Sequence, residues 1–83
     1  MQITVKLFAS LAGHLPPGSS RHQAALEIPE GTTPQDVIER LNVPERMAHL
    51  VMIDGVYLSP DDRTARVLQE GEQLAIFPPV AGG

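Results

Sequence analysis

Two consecutive prolines near the end of the sequence, Pro78 and Pro79, set the strongest constraint on how this chain can fold. Proline has no amide hydrogen and fixes φ, so a strand that reaches this pair cannot continue its hydrogen-bonded ladder. In the strand-like run just before the pair, Leu74 and Ile76 on one face alternate with Ala75 and Phe77 on the other. The sequence therefore predicts a last strand that ends immediately before Pro78.

The residues after this strand predict an extended tail. Consecutive prolines favour a stiff, polyproline-like exit from the body. Gly82 and Gly83 have no side chains, so the tip is thin enough to enter a narrow tunnel in another protein. The reactive group of this tip is the α-carboxylate of Gly83. We therefore divide the single domain into a body, residues 1–77, and a tail, residues 78–83.

Length and composition limit the kinds of function that the chain can have. A chain of 83 residues forms one domain with a modest core. The absence of cysteine excludes disulfides, thiolate metal sites and a thiol nucleophile, and suits a reducing cytoplasm. A net charge of −4 argues against nucleic acid and anionic membranes as partners, and no apolar run approaches transmembrane length. We expect a cytoplasmic protein whose partner has a basic docking surface.

The apolar pattern predicts an α+β domain, a mixed sheet of four to five strands with one main helix packed across it. The strands are predicted at Gln2–Phe8, Gln23–Ile28, Leu50–Ile53, Val56–Leu58 and Gln73–Phe77, and the helix at Pro34–Leu41. Thr33 is the expected N-cap and Pro34 suits the first helical position. Asp54 and Gly55 predict a tight turn between the third and fourth strands.

The connecting segments carry weaker signals. Residues 9–22 predict an irregular surface loop, because prolines, glycine and serines interrupt any regular element. Residues 44–49 and 59–62 each allow one further helical turn. Val67 and Leu68 are expected to fill the core from a loop. Phe8 falls on the polar face of the first strand, which makes it a candidate exposed contact or a cover for a second small cluster.

No cluster of side chains in the sequence predicts catalysis. His14, His22 and His49 are far apart and lack the spacing of metal ligands. Asp61 and Asp62 are explained by turn chemistry. Gly-rich phosphate loops are missing from the sequence. We therefore expect no metal site and no bound cofactor.

The tail carboxylate of Gly83 would consequently need chemistry from elsewhere. A carboxylate is an unreactive acyl donor, and adenylation by ATP gives it a good leaving group. A sulfide, or a persulfide whose S–S bond a thiol then cleaves, can displace AMP and leave a thiocarboxylate. Because the chain shows no ATP-binding motif, we expect a partner to bind and use the ATP.

The closing heptapeptide, Phe77-Pro78-Pro79-Val80-Ala81-Gly82-Gly83, resembles the tail of the MoaD/ThiS family of small sulfur carriers. The version with Pro-Pro-Val most resembles the small subunit of molybdopterin synthase. The run from Gly71 to Ala75 is similar to the family's Gly-Asp-Glu-Val-Ala stretch, and Ile53-Asp54-Gly55 is similar to its Val-Asn-Gly turn. The resemblance implies the ubiquitin-like β-grasp fold, in which the first and last strands pair in parallel at the sheet centre.

The resemblance also implies a function. An E1-like enzyme would adenylate Gly83, and the resulting thiocarboxylate would donate sulfur to cyclic pyranopterin monophosphate in molybdenum cofactor biosynthesis. The tail would insert into the large subunit of molybdopterin synthase, so this chain would be its sulfur-donor subunit. The implied partner-binding residues are Phe77, Pro78, Pro79, Val80, Ala81 and Gly82, and the candidate docking residues on the body are Phe8 and Ala75.

Other destinations stay open at this stage. Family members devoted to molybdopterin often have an Arg-Glu pair where this chain has Ala9-Ser10-Leu11-Ala12-Gly13. Thiamin-type carriers share the Gly-Gly end but usually lack the Pro-Pro-Val lead-in. The alternatives are a sulfur carrier for thiamin, cysteine or tRNA thiolation, a ubiquitin-like modifier conjugated through Gly83, and a purely structural β-grasp interaction module.

Overall fold

The chain folds into a five-stranded mixed sheet crossed by one main helix. The computed structural model describes residues 1–80, so Ala81, Gly82 and Gly83 lie outside the described part. In chain order, the elements are β1 (Gln2–Leu7), a 3₁₀ helix (Ala9–His14), β2 (Gln23–Glu27), α1 (Pro34–Arg40), a 3₁₀ turn (Glu45–Met47), β3 (Leu50–Ile53), β4 (Val56–Leu58), α2 (Asp62–Ala65) and β5 (Gln73–Phe77). The strand order is β2-β1-β5-β3-β4.

The two central strands come from the two ends of the body. β1 and β5 run parallel, whereas β1–β2, β5–β3 and β3–β4 are antiparallel. Val5 pairs with Leu74 and Leu7 with Ile76 in the parallel register, and all four side chains are buried. The predicted alternation of both strands is therefore confirmed, and it places the core between the sheet and α1.

Helix α1 begins as the sequence predicts. The Thr33 hydroxyl accepts a hydrogen bond from the Asp36 N–H (3.2 Å), and the Asp36 carboxylate accepts one from the Thr33 N–H (3.0 Å). This reciprocal capping box satisfies two of the free amides at the helix start. Pro34 lies in the first turn, and Val37 and Ile38 are buried against the sheet.

The β3–β4 hairpin turns at Asp54 and Gly55, as predicted. Both have positive φ, 50° and 82°, which is the backbone conformation that a two-residue primed turn requires. The Asp54 carboxylate accepts a hydrogen bond from the Gln73 N–H at 2.9 Å, and the Asp54 N–H donates to the Gln73 carbonyl at 2.9 Å. The turn therefore also fixes the start of β5.

Two expectations for the connecting segments are wrong. Residues 9–22 are not irregular throughout, because Ala9–His14 forms a 3₁₀ helix that buries Leu11. The breaking residues that argued for a loop all follow this helix. Val67 does not fill the core: it is 46% exposed while Leu68 is buried, since successive side chains of an extended segment point in opposite directions. A further helical turn forms within residues 44–49, at Glu45–Met47, whereas the turn expected over residues 59–62 forms later in the chain, as α2, which begins at Asp62.

Within residues 1–80, none of the helices combines the length and the apolar character needed to cross a bilayer.

An ion pair between Arg66 and Glu72 connects the segment after α2 to the approach to β5. The guanidinium donates two hydrogen bonds to the carboxylate, at 3.0 and 2.6 Å. The Gln69 N–H donates another to the same carboxylate at 2.7 Å. The pKa of the Glu72 carboxyl is lowered below its ordinary value, mainly by the hydrogen bonds from Arg66. Their effect outweighs that of burial, which acts in the opposite direction.

The variant Glu72→Gln tests this pair through the pH dependence of stability. At pH 7 it should lower the free energy of unfolding by at most about 1 kcal/mol, because Arg66 is 37% exposed and water screens the pair. The pKa of the Glu72 carboxyl is lower in the folded state than in the unfolded state, where it is about 4.3. The resulting stabilisation is fully present above the unfolded-state pKa and is lost as the pH falls through the folded-state pKa. The advantage of wild type over Glu72→Gln should therefore shrink toward acid pH.

Urea unfolding of wild type and Glu72→Gln measures this difference in stability. It is carried out at neutral pH and at about pH 2, which lies below the usual carboxyl pKa range. Glu30→Gln is the control, because it removes the same charge from an exposed turn. An advantage over Glu72→Gln that stayed constant or grew in acid would contradict the assignment.

Candidate functional site

The hydrogen-bonded ladder of the sheet ends just before Pro78, as the sequence predicts. The Phe77 carbonyl accepts a hydrogen bond from the His49 N–H at 3.1 Å, and the Ile76 carbonyl accepts one from the Phe8 N–H at 3.2 Å. Pro78 follows directly and has no N–H to donate. Because β5 lies between β1 and β3, the chain leaves the sheet between the end of one strand and the start of the other.

An aromatic stack lies at this exit. The rings of Phe8 and Phe77 are 4.3 Å apart between centroids and inclined by 3°. His22 also stacks on Phe8, with centroids 5.2 Å apart and an angle of 30°. Such pairs contribute about 0.5–1.5 kcal/mol beyond their buried area. The parallel pairing of β1 and β5 produces the stack, because it brings the residues that follow Leu7 and Ile76 side by side.

A largely apolar groove of about 600 Å³ opens beside the stack. Its lining residues are Phe8, Ala9, Ser10, His49, Leu50, Phe77, Pro78, Pro79 and Val80. The structure thus brings together one predicted docking residue of the body and the predicted partner-binding residues of the described tail. Ala81, Gly82 and Gly83 were also predicted as site residues, and they lie outside the described part of the chain. Ala75 lies near this groove and does not line it.

Ala75 belongs to the sheet face that points away from α1. It pairs with Lys6 on β1 and with Met52 on β3, and Met52 pairs with Tyr57 on β4. Side chains of paired residues point to the same face of a sheet. The Lys6 side chain therefore lies on this face too. We call the apolar part of the face, formed by Phe8, Leu50, Met52, Tyr57, Ala75 and Phe77, the open sheet face.

Sequence reasoning missed Leu50 and Met52 because the run from Leu50 to Ile53 was interpreted as a buried strand. Only alternate members, Val51 and Ile53, are buried, and the other two are half-buried on the open sheet face. A run that is apolar at every position does not show which face meets the core. Tyr57 was the available signal for the outward face of β3. The predicted Asp54-Gly55 turn places Tyr57 opposite Met52, so the two side chains share a face.

His49, Ala9 and Ser10 were also absent from the predicted site. They come from two segments that flank β5 in space and are distant from it in sequence. Their position depends on the strand order, which short-range patterns do not reveal.

The three histidines do not come together. His22 stacks on Phe8, His49 lines the groove, and His14 Nδ1 lies 3.2 Å from the Leu41 carbonyl oxygen. Among the residues that the structure describes, no three His, Asp or Glu side chains are placed to share a metal ion. What the described site offers a partner is apolar contact around the base of the tail.

Comparisons with known proteins place this architecture. The sequence model of the ThiS family matches residues 5–83. The structure resembles that of SAMP1 from Haloferax volcanii, with a TM-score of 0.69, 22% identity and full coverage of both chains. It also resembles a Pyrococcus furiosus protein provisionally described as molybdopterin converting factor, subunit 1, with a TM-score of 0.63 and 27% identity over 95% of this chain and 98% of the other. No curated protein sequence matches significantly.

These findings confirm the β-grasp fold and the family resemblance. The likeness to SAMP1, at 22% identity, is evidence for the fold alone. The family model covers nearly the whole chain, from the middle of β1 through Gly83. The chain therefore belongs to the ThiS family and is a ubiquitin-like sulfur carrier of the MoaD/ThiS type.

Proposed function

We propose that an E1-like enzyme adenylates Gly83 and that the tail then carries sulfur as a C-terminal thiocarboxylate. The observation that carries this proposal is the family match, which runs through Gly83 and so includes the tail. The groove supports it, since Pro78, Pro79 and Val80 form part of its apolar lining at the point where the chain leaves the sheet. A partner that docks there would receive the tail in its own active site.

The proposed chemistry needs no catalytic group from this chain. The Gly83 carboxylate attacks the α-phosphorus of ATP, pyrophosphate leaves, and a mixed anhydride with AMP forms. Hydrosulfide then attacks the carbonyl carbon, the carbon–oxygen bond to AMP breaks, and AMP leaves with the electron pair. The proton of hydrosulfide passes to solvent and a thiocarboxylate remains. ATP is the activating partner's substrate, and no cofactor is assigned to this chain.

For the acceptor, we propose cyclic pyranopterin monophosphate, with this chain as the small subunit of molybdopterin synthase. Two features favour it over the other carriers: the Pro78-Pro79-Val80 lead-in, and the likeness to the Pyrococcus furiosus protein at 27% identity. The large subunit would accept the tail and dock on the open sheet face. A cytoplasmic location fits the requirement for ATP and the chain without cysteine.

Intact-mass measurement tests the carrier chemistry. The protein is incubated with its activating enzyme, ATP and sulfide, and a sample without ATP is the control. We expect the mass to rise by the difference between one sulfur and one oxygen, only when ATP is present. No shift, with an enzyme that forms the adenylate of another carrier, would reject the proposal.

The acceptor is tested separately by assembly. The loaded protein should bind the large subunit of molybdopterin synthase and convert cyclic pyranopterin monophosphate to a dithiolene product. A loaded protein that fails here but thiolates a thiamin precursor, a cysteine precursor or tRNA would reassign the pathway. Gly-Gly remnants on cellular lysines would reveal a modifier role through the same Gly83 carboxylate.

The variant Phe77→Ala tests docking. We expect at least a tenfold weaker complex with the large subunit, because truncation of a central aromatic anchor typically costs about 2 kcal/mol or more. The ring is half-buried and stacks on Phe8, so some stability is also lost. Isothermal titration calorimetry below the melting range measures the affinity.

Val67→Ala is the matched control, because Val67 is an exposed apolar residue that does not line the groove. It should bind with wild-type affinity. Equal affinities of Phe77→Ala and Val67→Ala would show that the groove is not the docking site.

A further inference from the structure

Arg63, on the short helix α2, is a buried arginine without an acidic partner in the described structure. It is 7% exposed. Its Nη1 donates to the Ala48 carbonyl at 2.7 Å and its Nη2 to the His49 carbonyl at 3.2 Å. Within residues 1–80, its Nε is buried without a hydrogen-bond partner and no carboxylate lies at ion-pair distance. The guanidinium is therefore held by backbone carbonyls.

Packing alone does not explain this arginine. Transfer of a charged group into the interior is costly unless it is paired, and neutral carbonyls compensate only in part. An unbranched apolar side chain such as methionine could fill a similar space without that cost. A guanidinium adds a rigid planar fork of donors, which can hold two consecutive carbonyls in one orientation. The arrangement of the backbone at Ala48 and His49 is therefore the feature to explain.

That backbone leads directly to the tail. The Ala48 carbonyl and the His49 N–H belong to the same planar peptide group, and they point in opposite directions. The carbonyl accepts from Arg63, and the N–H donates to the Phe77 carbonyl at 3.1 Å. The hydrogen bonds therefore form a continuous series from the guanidinium through one peptide group to Phe77. Hydrogen bonds in series polarise one another, so a cation at one end strengthens the bond at the other.

The bond to Phe77 lies where the sheet ends. Pro78 and Pro79 have no N–H groups, so the body can hold them only through their carbonyls or by side-chain contact. The direction of the chain at Pro78 consequently depends on how firmly Phe77 is held. Leu50, the register partner of Phe77, and His49 also line the groove.

We infer that Arg63 is a positioning residue that fixes the direction in which the tail leaves the sheet. It holds the peptide between Ala48 and His49 against the Phe77 carbonyl, and it acts on the tail through that peptide. This role rests on the proposed function in one respect, namely that the direction matters because a partner must receive Gly83.

Amide hydrogen exchange tests the positioning directly. In Arg63→Met, we expect the His49 amide to exchange at least about tenfold faster than in wild type, the effect of losing roughly one hydrogen bond. The Leu7 amide, which donates to the His22 carbonyl at 2.9 Å, reports on the rest of the sheet and should change less. In Arg63→Lys, the exchange rate of the His49 amide should lie between those of wild type and Arg63→Met, because a single ammonium lacks the planar fork of donors. If Arg63→Met does not fold, Arg63→Lys carries the test.

Arg40→Met is the matched control. Arg40 Nη1 also donates to a backbone carbonyl at 2.7 Å, but to Glu27, on the strand at the far edge of the sheet from β4. In Arg40→Met, the His49 amide should exchange at the wild-type rate. Equal His49 exchange in Arg63→Met and wild type, or equal acceleration at His49 and Leu7, would overturn the positioning role.

Loading kinetics provide the second readout. With the activating enzyme, we expect Arg63→Met to lower kcat for Gly83 adenylation about tenfold, with a smaller change in KM for the carrier, because misdirected reactants react less often once bound. Wild-type kcat in Arg63→Met would overturn the inference even if His49 exchange rises. If wild type itself is not adenylated, the proposed function fails, and the exchange measurements alone decide whether Arg63 holds the tail exit.

Discussion

Replacing Ile76 with alanine is expected to destabilise the protein by about 2–5 kcal/mol. Ile76 is 0% exposed and lies in the central strand β5. It pairs with Leu7 on one side and with Val51 on the other, so the lost methyl groups leave a cavity that neighbouring strands cannot easily fill. Small domains often have only about 5–15 kcal/mol of stability, so the loss should be visible as a large shift in urea unfolding.

Val80→Ala is the control for this measurement. Val80 is 80% exposed, and its truncation should change the free energy of unfolding by less than about 0.5 kcal/mol. Gly83→Ala should likewise leave the melting temperature almost unchanged. A loss below about 1 kcal/mol for Ile76→Ala would contradict its place at the centre of the core.

Deletion of Gly82 and Gly83 is expected to abolish thiocarboxylate formation. The chain would then end at Ala81, and the shorter tip would present its carboxylate about two residues, or 6–7 Å, short of the activated position. This displacement far exceeds what in-line chemistry tolerates, since misplacement by about 1 Å can cost a hundredfold in rate. Intact-mass analysis after incubation with the activating enzyme, ATP and sulfide measures the loss.

The deletion also separates the tail hypotheses from a structural interaction module. The deletion variant should melt at the wild-type temperature and bind the large subunit through the groove, because the groove residues remain. A variant that fully supports cofactor synthesis in cells would eliminate both the carrier and the modifier hypotheses. Unfolding of the variant would show that the division into body and tail is wrong.

Elements with strong local patterns were predictable from the sequence. The two-residue period of β1 and β5, the capping residues of α1 and the Asp54-Gly55 turn each reflect short-range physics, and the structure confirms them. The bounds of β3, β4 and β5 match the prediction, whereas β1, β2 and α1 each end one residue early, because terminal residues such as Phe8 and Leu41 leave the regular backbone while still packing. The parallel pairing of β1 with β5 followed from the family resemblance.

Features that depend on long-range register were not predictable. The stack of Phe8 on Phe77 requires the exact offset between β1 and β5, and the bonds of Arg63 require α2 to lie against the start of β3. Neither leaves a periodic trace in the sequence. The 3₁₀ helix at Ala9–His14 was missed because its single buried residue, Leu11, gives no repeating apolar pattern.

The parallel pairing of β1 with β5 determines when, during folding, the groove becomes available to a partner. Contacts between residues separated by almost the whole body close large loops, and such contacts form late and slowly. Phe8 cannot meet Phe77 until β5 has joined the sheet. A chain still being synthesised, or one that has folded only its N-terminal hairpin, consequently has no groove to show to a partner. Partners that recognise the groove would thereby select chains that are already folded to the last strand.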